Sequence, residues 1–283
     1  AVRVMTMEEA PRLLELRGGH ARLALHGFGT TGIITEVEIP TAPATRWFER
    51  VVGFSSLEAA LGFADAVAHA DAVVKRLVSV VAAPAPGRFL FPHAGVDEAT
   101  HVVLVMAAET ALETFEAILA AHPGACLAVA SSPLFELAWN HTTWHALKHD
   151  RAFTYLEVAF PPGDHVDKVL ATAAAFDREE VIPHLEFIRR DGRLCGAGLP
   201  LVRFSTRERL DVIIRAFDAA GCPVSNPHVT TLEALRHAPV DPTLLAFKRE
   251  IDPLGLLNPG KLASFEEPAP MAEAAPTSGV TGR

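Results

Sequence analysis

The sequence is short of cysteine, holds a single tyrosine and has no excess of positive charge. Its three cysteines, Cys126, Cys195 and Cys222, are odd in number and far from any CxxC spacing. Neither a disulfide framework nor a thiol-redox pair has a basis here, and the three read as reduced, buried residues of a cytoplasmic protein. Lysine and arginine total 25 against 34 aspartates and glutamates, a net charge of −9 over 283 residues. Phosphate binding needs clustered cations, so nucleic acid is not the expected partner. No uncharged apolar run reaches about 18 residues, which leaves no expected membrane span. The opening AVRVMTMEEAPRLLELRGG has no basic segment followed by an apolar core and is not a secretory signal. GxSxG and P-loop patterns are missing too, so esterase and NTPase readings lack support.

What is present is alternation of short elements. Residues 8–17 have helical or strand-like character, broken by Gly18-Gly19. HARLALHGFG alternates apolar residues at Leu23 and Leu25, and GIITEVEIP alternates Ile34, Val37 and Ile39 with polar neighbours before Pro40 ends the strand. These read as the closing strands of a domain. From Arg46 the pattern becomes strand, helix, strand. RWFERVVGFSS is strand-like, Ser55 or Ser56 can cap the Ala-rich helix LEAALGFADAVAHADA, and VKRLVSVVAA and HVVLVMAA are strands. ETALETFEAILAAH is an amphipathic helix, CLAVAS a strand, SPLFELAWNHTTWHALKHD a helix and TYLEVAF a strand. DHVDKVLATAAAF and TRERLDVIIRAFDAAG read as helices around a hairpin that turns at Asp191-Gly192. A last helix is predicted from about Pro242 to Ile251. The class is α+β, and the spacing suits ferredoxin-like antiparallel sheets with two helices. Residues 46–131 and 155–224 form two such half-units facing one another in this reading. From about Phe265 the composition is rich in Pro, Ala and small polar residues, which predicts a disordered tail.

Four segments can carry chemistry. GTTGIITEVEIPTAP at 29–43 joins a glycine loop to a strand. Glycines let a backbone approach a ligand, although such loops are also ordinary turns. Read from Gly29 the loop is not GxGxxG, and it precedes a strand instead of a helix, so the Rossmann mechanism does not apply. FKREIDPLGLLNPGKL at 247–262 ends a helix and turns at Asn258-Pro259-Gly260, projecting Asn258 and Lys261; a turn that ties down the chain end is the plain alternative. NHTTWHALKHD at 140–150 places His141, His145 and His149 four apart, near one helix face and beside Lys148. Such spacing can bind zinc, but no general-base Glu and no third ligand accompanies it, so no metal is expected. A polar role beside a substrate and a solvated helix face remain. SNPHVTTLE at 225–233 presents Asn226 and His228 on a loop. Tyr155 is a core hydrogen-bonding group or a substrate contact. His184, Glu186 and Glu157 sit on polar faces of predicted strands and point toward the same cavity in this reading.

Together GTTGIITEVEIP at 29–40, NHTTWHALK at 140–148 and DPLGLLNPGKL at 252–262 resemble the FAD-linked oxidase family, the vanillyl-alcohol-oxidase-type flavoproteins that include glycolate-oxidase-like enzymes. The resemblance spans roughly residues 2–262. It implies the end of an FAD-binding domain over residues 1–45 and a ferredoxin-like substrate cap over 46–240. A helix and turn at 241–264 would then return to the flavin, with the tail at 265–283. It implies FAD as cofactor, hydride transfer from a small hydroxylated substrate (a 2-hydroxy acid among the options) and catalysis by flavin with the protein supplying orientation. Gly29, Thr30, Thr31, Gly32 and Ile34 would lie along FAD, with Asn258 and Lys261 near the flavin edge or its phosphates. His141, His145, Lys148, Tyr155 and His228 would hold a carboxylate or take the hydroxyl proton. The early part of the family's FAD domain, with its glycine-rich pyrophosphate loop, has no counterpart here. The chain therefore reads as a C-terminal portion: a truncation, a split gene product, or one subunit of a pair, with an upstream FAD-domain chain or a second copy in a homo-oligomer as the candidate partner. The alternative is a non-catalytic ferredoxin-like partner module, inactive without that half. The GHxGDGNxH-type metal segment of 2-hydroxyacid dehydrogenase relatives is also missing, with SNPHVTT in a comparable late position.

Overall fold

The computed structural model describes residues 1–25, 27–129, 133–236 and 239–266. Backbone contacts divide the chain into two compact units: Ala1–Thr41 with His228–Arg283, and Ala42–Pro227.

The first unit opens with β1 (Val2–Met5), β2 (Leu13–Leu16) and β3 (Ile33–Val37), an antiparallel sheet ordered β2-β1-β3. Val2 and Val4 of the central strand are buried with Ala21 and Ala24. The alternation at Leu23 and Leu25 predicts a strand, but Gly18–Leu23 is a 3-10 helix. Ala21 within it and Ala24 at its C-cap are buried and stand three apart, so the three-residue period prevails over the two-residue one.

The second unit contains β4 (Trp47–Phe54), α1 (Leu57–His69), β5 (Lys75–Val81), β6 (His101–Ala108), α2 (Leu112–Ala120) and β7 (Ala125–Cys126). It continues through α3 (Asn140–His149), β8 (Phe153–Tyr155), β9 (Glu157–Phe160), α4 (His165–Ala174), β10 (Val181–Ile182) and β11 (His184–Arg190). Then come β12 (Arg193–Gly198), β13 (Leu201–Arg203), α5 (Arg207–Ala219) and β14 (Val224–Ser225). Eight strands form one antiparallel sheet ordered β14-β9-β12-β11-β5-β6-β4-β7. Each half carries its own strands in the order fourth, first, third, second. The expectation that the halves face one another is corrected: they meet edge to edge, with His184, Leu185 and Glu186 of β11 opposite Val81, Val80 and Ser79 of β5. β10, β13 and β8 make a separate small sheet.

Both faces of the large sheet are covered, which explains why β6 reads as the near-continuous apolar run HVVLVMAA. One face packs Val78, Val80, Val103 and Val105 against Phe63 of α1, Phe115 of α2, Val169 of α4 and Ile213 of α5. The other packs Leu77, Val81, Leu104 and Met106 against Ala146 of α3 and the short turns at Leu134–Glu136 and Pro86–Leu90. Local signals agree with these elements. The Ser56 hydroxyl accepts from the Ala59 N–H at 3.2 Å and starts α1. Asp191 and Gly192 have φ of 51° and 77°, as a two-residue hairpin of primed type requires. At the other end of α1 the Lys75 ammonium donates to the carbonyls of Val67, Ala68 and Ala70 at 2.7–2.8 Å.

Several expected elements change. CLAVAS yields only the two-residue β7, and residues 130–132 at its end lie outside the described residues. The helix expected over SPLFELAWNHTTWHALKHD is interrupted, because Trp139 takes a left-handed φ of 53° and α3 starts after it. TYLEVAF is two strands in two sheets, divided at the buried Leu156. Cys195 and Cys222 are buried as expected, but Cys126 is exposed on the outermost strand β7. No helix among the described residues is long and apolar enough to cross a membrane.

The first unit closes with α6 (Leu232–Arg236), α7 (Pro242–Ile251) and α8 (Ala263–Glu266). Asp241 caps α7 by accepting from Thr243 N–H at 2.8 Å, and Pro242 occupies its first turn, where a missing N–H costs nothing. The tail expected from about Phe265 starts with the last residues of α8; positions 267–283 lie outside the described residues.

Candidate functional site

In the first unit the glycine loop and the Asn-Pro-Gly-Lys turn meet. The Asn258 Nδ2 amide donates to the Phe28 carbonyl at 2.7 Å, across 230 positions of sequence. The Lys261 ammonium stands 5.6 Å from the centre of the Phe28 ring, a cation–π distance. Both turn residues are left-handed, with φ of 52° at Phe28 and 46° at Asn258. Gly29 has φ of 73°, and a Cβ placed on it would find only the Asn258 amide, at 3.8 Å. Gly29, Asn258 and Lys261 thus share one surface.

The neighbouring residues build that surface from beneath. Thr30 and Thr31 are 1% and 2% exposed, and the Thr30 hydroxyl donates to the Gly27 carbonyl. Gly32, at φ of 79°, is required sterically, since a Cβ there would lie 2.1 Å from Val4 Cγ1. Ile34 is an exposed residue of β3. Read from Gly27, the loop has the glycine spacing Gly-Phe-Gly-Thr-Thr-Gly of a dinucleotide-binding turn. It runs into β3, however, and so lacks the helix N-terminus on which that mechanism depends.

Two residues that sequence reasoning passed over fix the second turn. Lys248 and Asp252 are 2% and 0% exposed and form a buried ion pair. Asp252 also accepts from the N–H groups of Leu256 and Leu257, each at 2.9 Å, while Lys248 Nζ donates to the Leu257 carbonyl at 3.0 Å. Burial by itself pushes the Asp252 carboxyl up. The Lys248 hydrogen bond and the two backbone donors outweigh that push and hold it below the usual range. The available signal was a Lys and an Asp four apart at a helix end, directly before Pro253.

The second unit holds the other candidates. His141, His145 and Lys148 lie on the outer side of α3, whose buried side is Thr142, Thr143 and Ala146. His141 Nδ1 sits 3.0 Å from the Phe135 carbonyl and His145 Nε2 3.3 Å from that of Glu136. Burial, then the nearby Lys148 charge, lowers the His145 imidazole below its ordinary range and favours the neutral ring. Tyr155 ends β8, against which α3 packs, and hydrogen-bonds with Asn140 at the head of α3. Burial, then the Glu157 carboxylate, raises the phenol, so it is held as a proton donor. His228 is exposed on the loop that follows β14 and belongs to the first unit. Among the described residues no three His, Cys, Asp or Glu side chains are grouped to hold a metal.

Under α3 the sheet carries a buried polar cluster. His184 and Glu186, each 1% exposed, project from β11 with Ser79 beside them on β5. Glu186 Oε1 accepts from the Ser79 hydroxyl at 3.1 Å and from the Trp139 backbone N–H at 2.9 Å, and His184 Nε2 lies 2.9 Å away. The two residues were expected to line a cavity with Glu157. Instead they are enclosed, and Glu157 is exposed at the start of β9. Trp139 has φ of 53° and ψ of −141°, a glycine-like conformation that costs about 1–3 kcal/mol. A separate cleft of about 420 Å³, lined by Asp65, His69, His165 and Arg193 beside α1 and α4, includes none of the residues singled out from sequence.

No protein-family model matches the sequence, and no curated protein matches it. Among solved structures the fold is that of alkyldihydroxyacetonephosphate synthase. One crystal form superposes with a TM-score of 0.58 at 13% identity, over 92% of this chain and 52% of the synthase. A second gives 0.57 at 11%, over 91% and 52%. The chain therefore spans about half the length of the synthase chains it matches. A 6-hydroxy-D-nicotine oxidase from Arthrobacter nicotinovorans aligns with a TM-score of 0.46 at 15% identity, over 90% of this chain and 63% of the oxidase. The fold shared with the synthase is α+β, as the alternation of elements predicts.

Proposed function

We propose that this chain is the cap and flavin-returning part of an FAD-dependent oxidoreductase that oxidises a small hydroxylated substrate, a 2-hydroxy acid being one candidate, by hydride transfer. The observation that carries the reading is the hydrogen bond from Asn258 to Phe28, which joins the last family-like segment to the residue directly before the first. That corner fits a flavin nucleotide: Gly29 offers bare backbone for close approach, and Lys261 brings a cation to the same surface. FAD, when bound, supplies the two-electron acceptor. The chain's own residues orient and move protons. Asn258 and Lys261 hold the cofactor's edge or phosphates, and Thr30, Thr31, Gly32 and Ile34 shape the loop and strand along it. Lys148 and His141 offer charge and hydrogen bonds to a substrate carboxylate. The neutral His145 ring takes the hydroxyl proton, and the Tyr155 phenol donates to a substrate oxygen. His228 is a further candidate for the same proton.

The test is to purify the chain alone and together with a polypeptide that supplies the glycine-rich FAD half, and to record flavin absorbance. Flavin is expected in the second preparation, with retention lowered by Lys261→Ala and by Asn258→Ala. No flavin in either preparation overturns the reading.

One observation favours a second reading, a non-catalytic module that pairs with another chain. Strand β3 is an edge strand, and Ile33, Ile34, Val37 and the following Ile39 are all exposed. Such an edge invites strand addition by an FAD-domain polypeptide or a second copy. Light scattering that gives a stable monomer, with no complex on adding the other half, removes that reading.

A further inference from the structure

We propose that Glu186 and His184 form a buried carboxylate–imidazolium pair that holds Trp139 left-handed at the head of α3, which makes Glu186 a positioning residue for the substrate-facing side of the cap. The role given to that side rests on the flavin-oxidoreductase reading; the pair and its grip on Trp139 stand on hydrogen-bond geometry alone.

The proton inventory comes first. His184 Nδ1 faces the Leu199 carbonyl at 3.2 Å, and a carbonyl only accepts, so Nδ1 carries a hydrogen. On the other side Nε2 faces Glu186 Oε1 at 2.9 Å and Thr142 Oγ1 at 3.3 Å. The Thr142 hydroxyl proton is already given to the Leu137 carbonyl at 2.5 Å, so toward His184 it acts as an acceptor. Oε1 also receives the Ser79 hydroxyl and the Trp139 N–H. Nε2 thus shares a hydrogen with Oε1, carried either by the ring or by the carboxyl group. What favours the charged form is that Oε1 already receives two other donors, and a carboxyl hydroxyl oxygen is a poor acceptor for both; a hydrogen on each ring nitrogen then leaves Glu186 a carboxylate whose Oε2 is buried with no hydrogen-bond partner among the described residues.

The same carboxylate reaches the backbone of Trp139, where the chain takes a conformation that suits glycine, not tryptophan. The next residue, Asn140, bonds Tyr155, and His141 follows one position on. The register of these substrate-side candidates is therefore set at Trp139. The surrounding sheet face is apolar, with Leu77, Val81, Leu104 and Met106. Burying ions there is costly unless they are paired and hydrogen-bonded, so removing one partner alone should be felt strongly.

The experiment uses the full chain without flavin, so its outcome does not depend on cofactor binding. Histidine-selective 15N labelling and long-range proton correlation near neutral pH should show His184 with both ring nitrogens protonated. In Glu186→Gln the second N–H signal should be lost, leaving a neutral ring, and the Trp139 amide resonance should shift. Trp139 is 44% exposed, so its emission, read with Trp47→Phe and Trp144→Phe in place, should change in intensity and quenching instead of by a large red shift. The double variant Glu186→Gln with His184→Gln, which removes both charges, should restore the emission and amide position at least in part. A wild-type His184 ring carrying one hydrogen overturns the proposal, and this readout needs no variant to fold. Unchanged Trp139 signals in Glu186→Gln overturn it as well. A doubly protonated His184 in a chain that never takes up flavin leaves the pair in place and removes only the oxidoreductase reading.

Discussion

The two units keep their shape by different means. The larger one, Ala42–Pro227, buries apolar side chains on both faces of an eight-stranded sheet, and its helices present ordinary apolar stripes. The smaller buries fewer apolar side chains: Val2, Val4, Ala21 and Ala24 in one cluster, with Leu232, Phe247, Ile251 and Leu262 from its C-terminal segments. Its shape depends on a buried Lys248–Asp252 pair, on left-handed Phe28 and Asn258, and on a glycine at 32 that nothing else can replace sterically. Where less apolar area is available, individual polar contacts help to select the conformation, and Gly29, Asn258 and Lys261 are placed by such contacts. The larger unit repeats this on a small scale at Trp139, its one strained tryptophan, which is again tied to a buried carboxylate.

Phe63→Ala should have the largest effect. Phe63 is fully buried and packs on Phe54 and Phe115, at ring-centre distances of 5.4 and 5.9 Å. Losing it should cost about 3–5 kcal/mol in urea unfolding. Hydrogen exchange should quicken through 42–227 and little elsewhere. A loss under about 1 kcal/mol would mean that this core can collapse around the gap.

Asp252→Asn should come next, at about 3 kcal/mol, because it leaves the Lys248 ammonium buried without its counter-ion. Here exchange should quicken in residues 1–25 and 239–266. The acid limb sharpens the contrast. The folded carboxyl is held below its unfolded value, so its contribution is complete above the ordinary aspartate range near about 4. It is lost as pH falls through the lower, folded value. The variant should flatten the acid limb of a stability–pH curve. An unchanged limb would show that other carboxylates govern it.

The same contrast decides what was legible in the sequence. The apolar runs of β5 and β6, the stripe of α1, the cap at Ser56 and the turn at Asp191-Gly192 all have periodic or local signatures, and each was readable. The break at Trp139 was not, because a left-handed tryptophan contradicts propensity and is held by Glu186, which lies 47 positions later. The division of TYLEVAF was likewise set by tertiary pairing, Tyr155 with Leu201 and Glu157 with Ser225. In the smaller unit the Gly29 and Asn258 motifs could be recognised, but their meeting at Phe28 rests on long-range contacts of Asn258 and Lys261 that leave no periodic trace. His184 and Glu186 alternate as on a solvent-facing strand, and only their burial shows them to be partners.

A middle-sized effect is expected at Lys75, whose ammonium collects three carbonyls at the end of α1. Burial, followed by repulsion from Arg189, lowers this ammonium below its usual range. Lys75→Met keeps most of the stem's packing and removes the donors, so a loss of about 2 kcal/mol should appear in urea unfolding. A neutral result would place the stability of α1 in its apolar face alone, and would widen the difference between the units.

The smallest effect should come from Asn258, and it separates two causes that coincide there. The residue supplies an amide to Phe28 and also occupies a φ of 46°, where a side chain with a Cβ is disfavoured. Asn258→Ala loses the bond and keeps the unfavourable backbone; Asn258→Gly loses the bond and relieves it. If the long-range bond alone holds the corner, both variants should lose about 1 kcal/mol or less and shift the Phe28 and Gly29 amide resonances equally. If the left-handed turn matters as much, Asn258→Gly should stay near wild type in stability while Asn258→Ala falls by about 1 kcal/mol more. The exposed bond and the buried Lys248–Asp252 pair serve one turn, so the second outcome is expected: the pair fixes the backbone of the turn, and the amide then fastens that turn to the glycine loop.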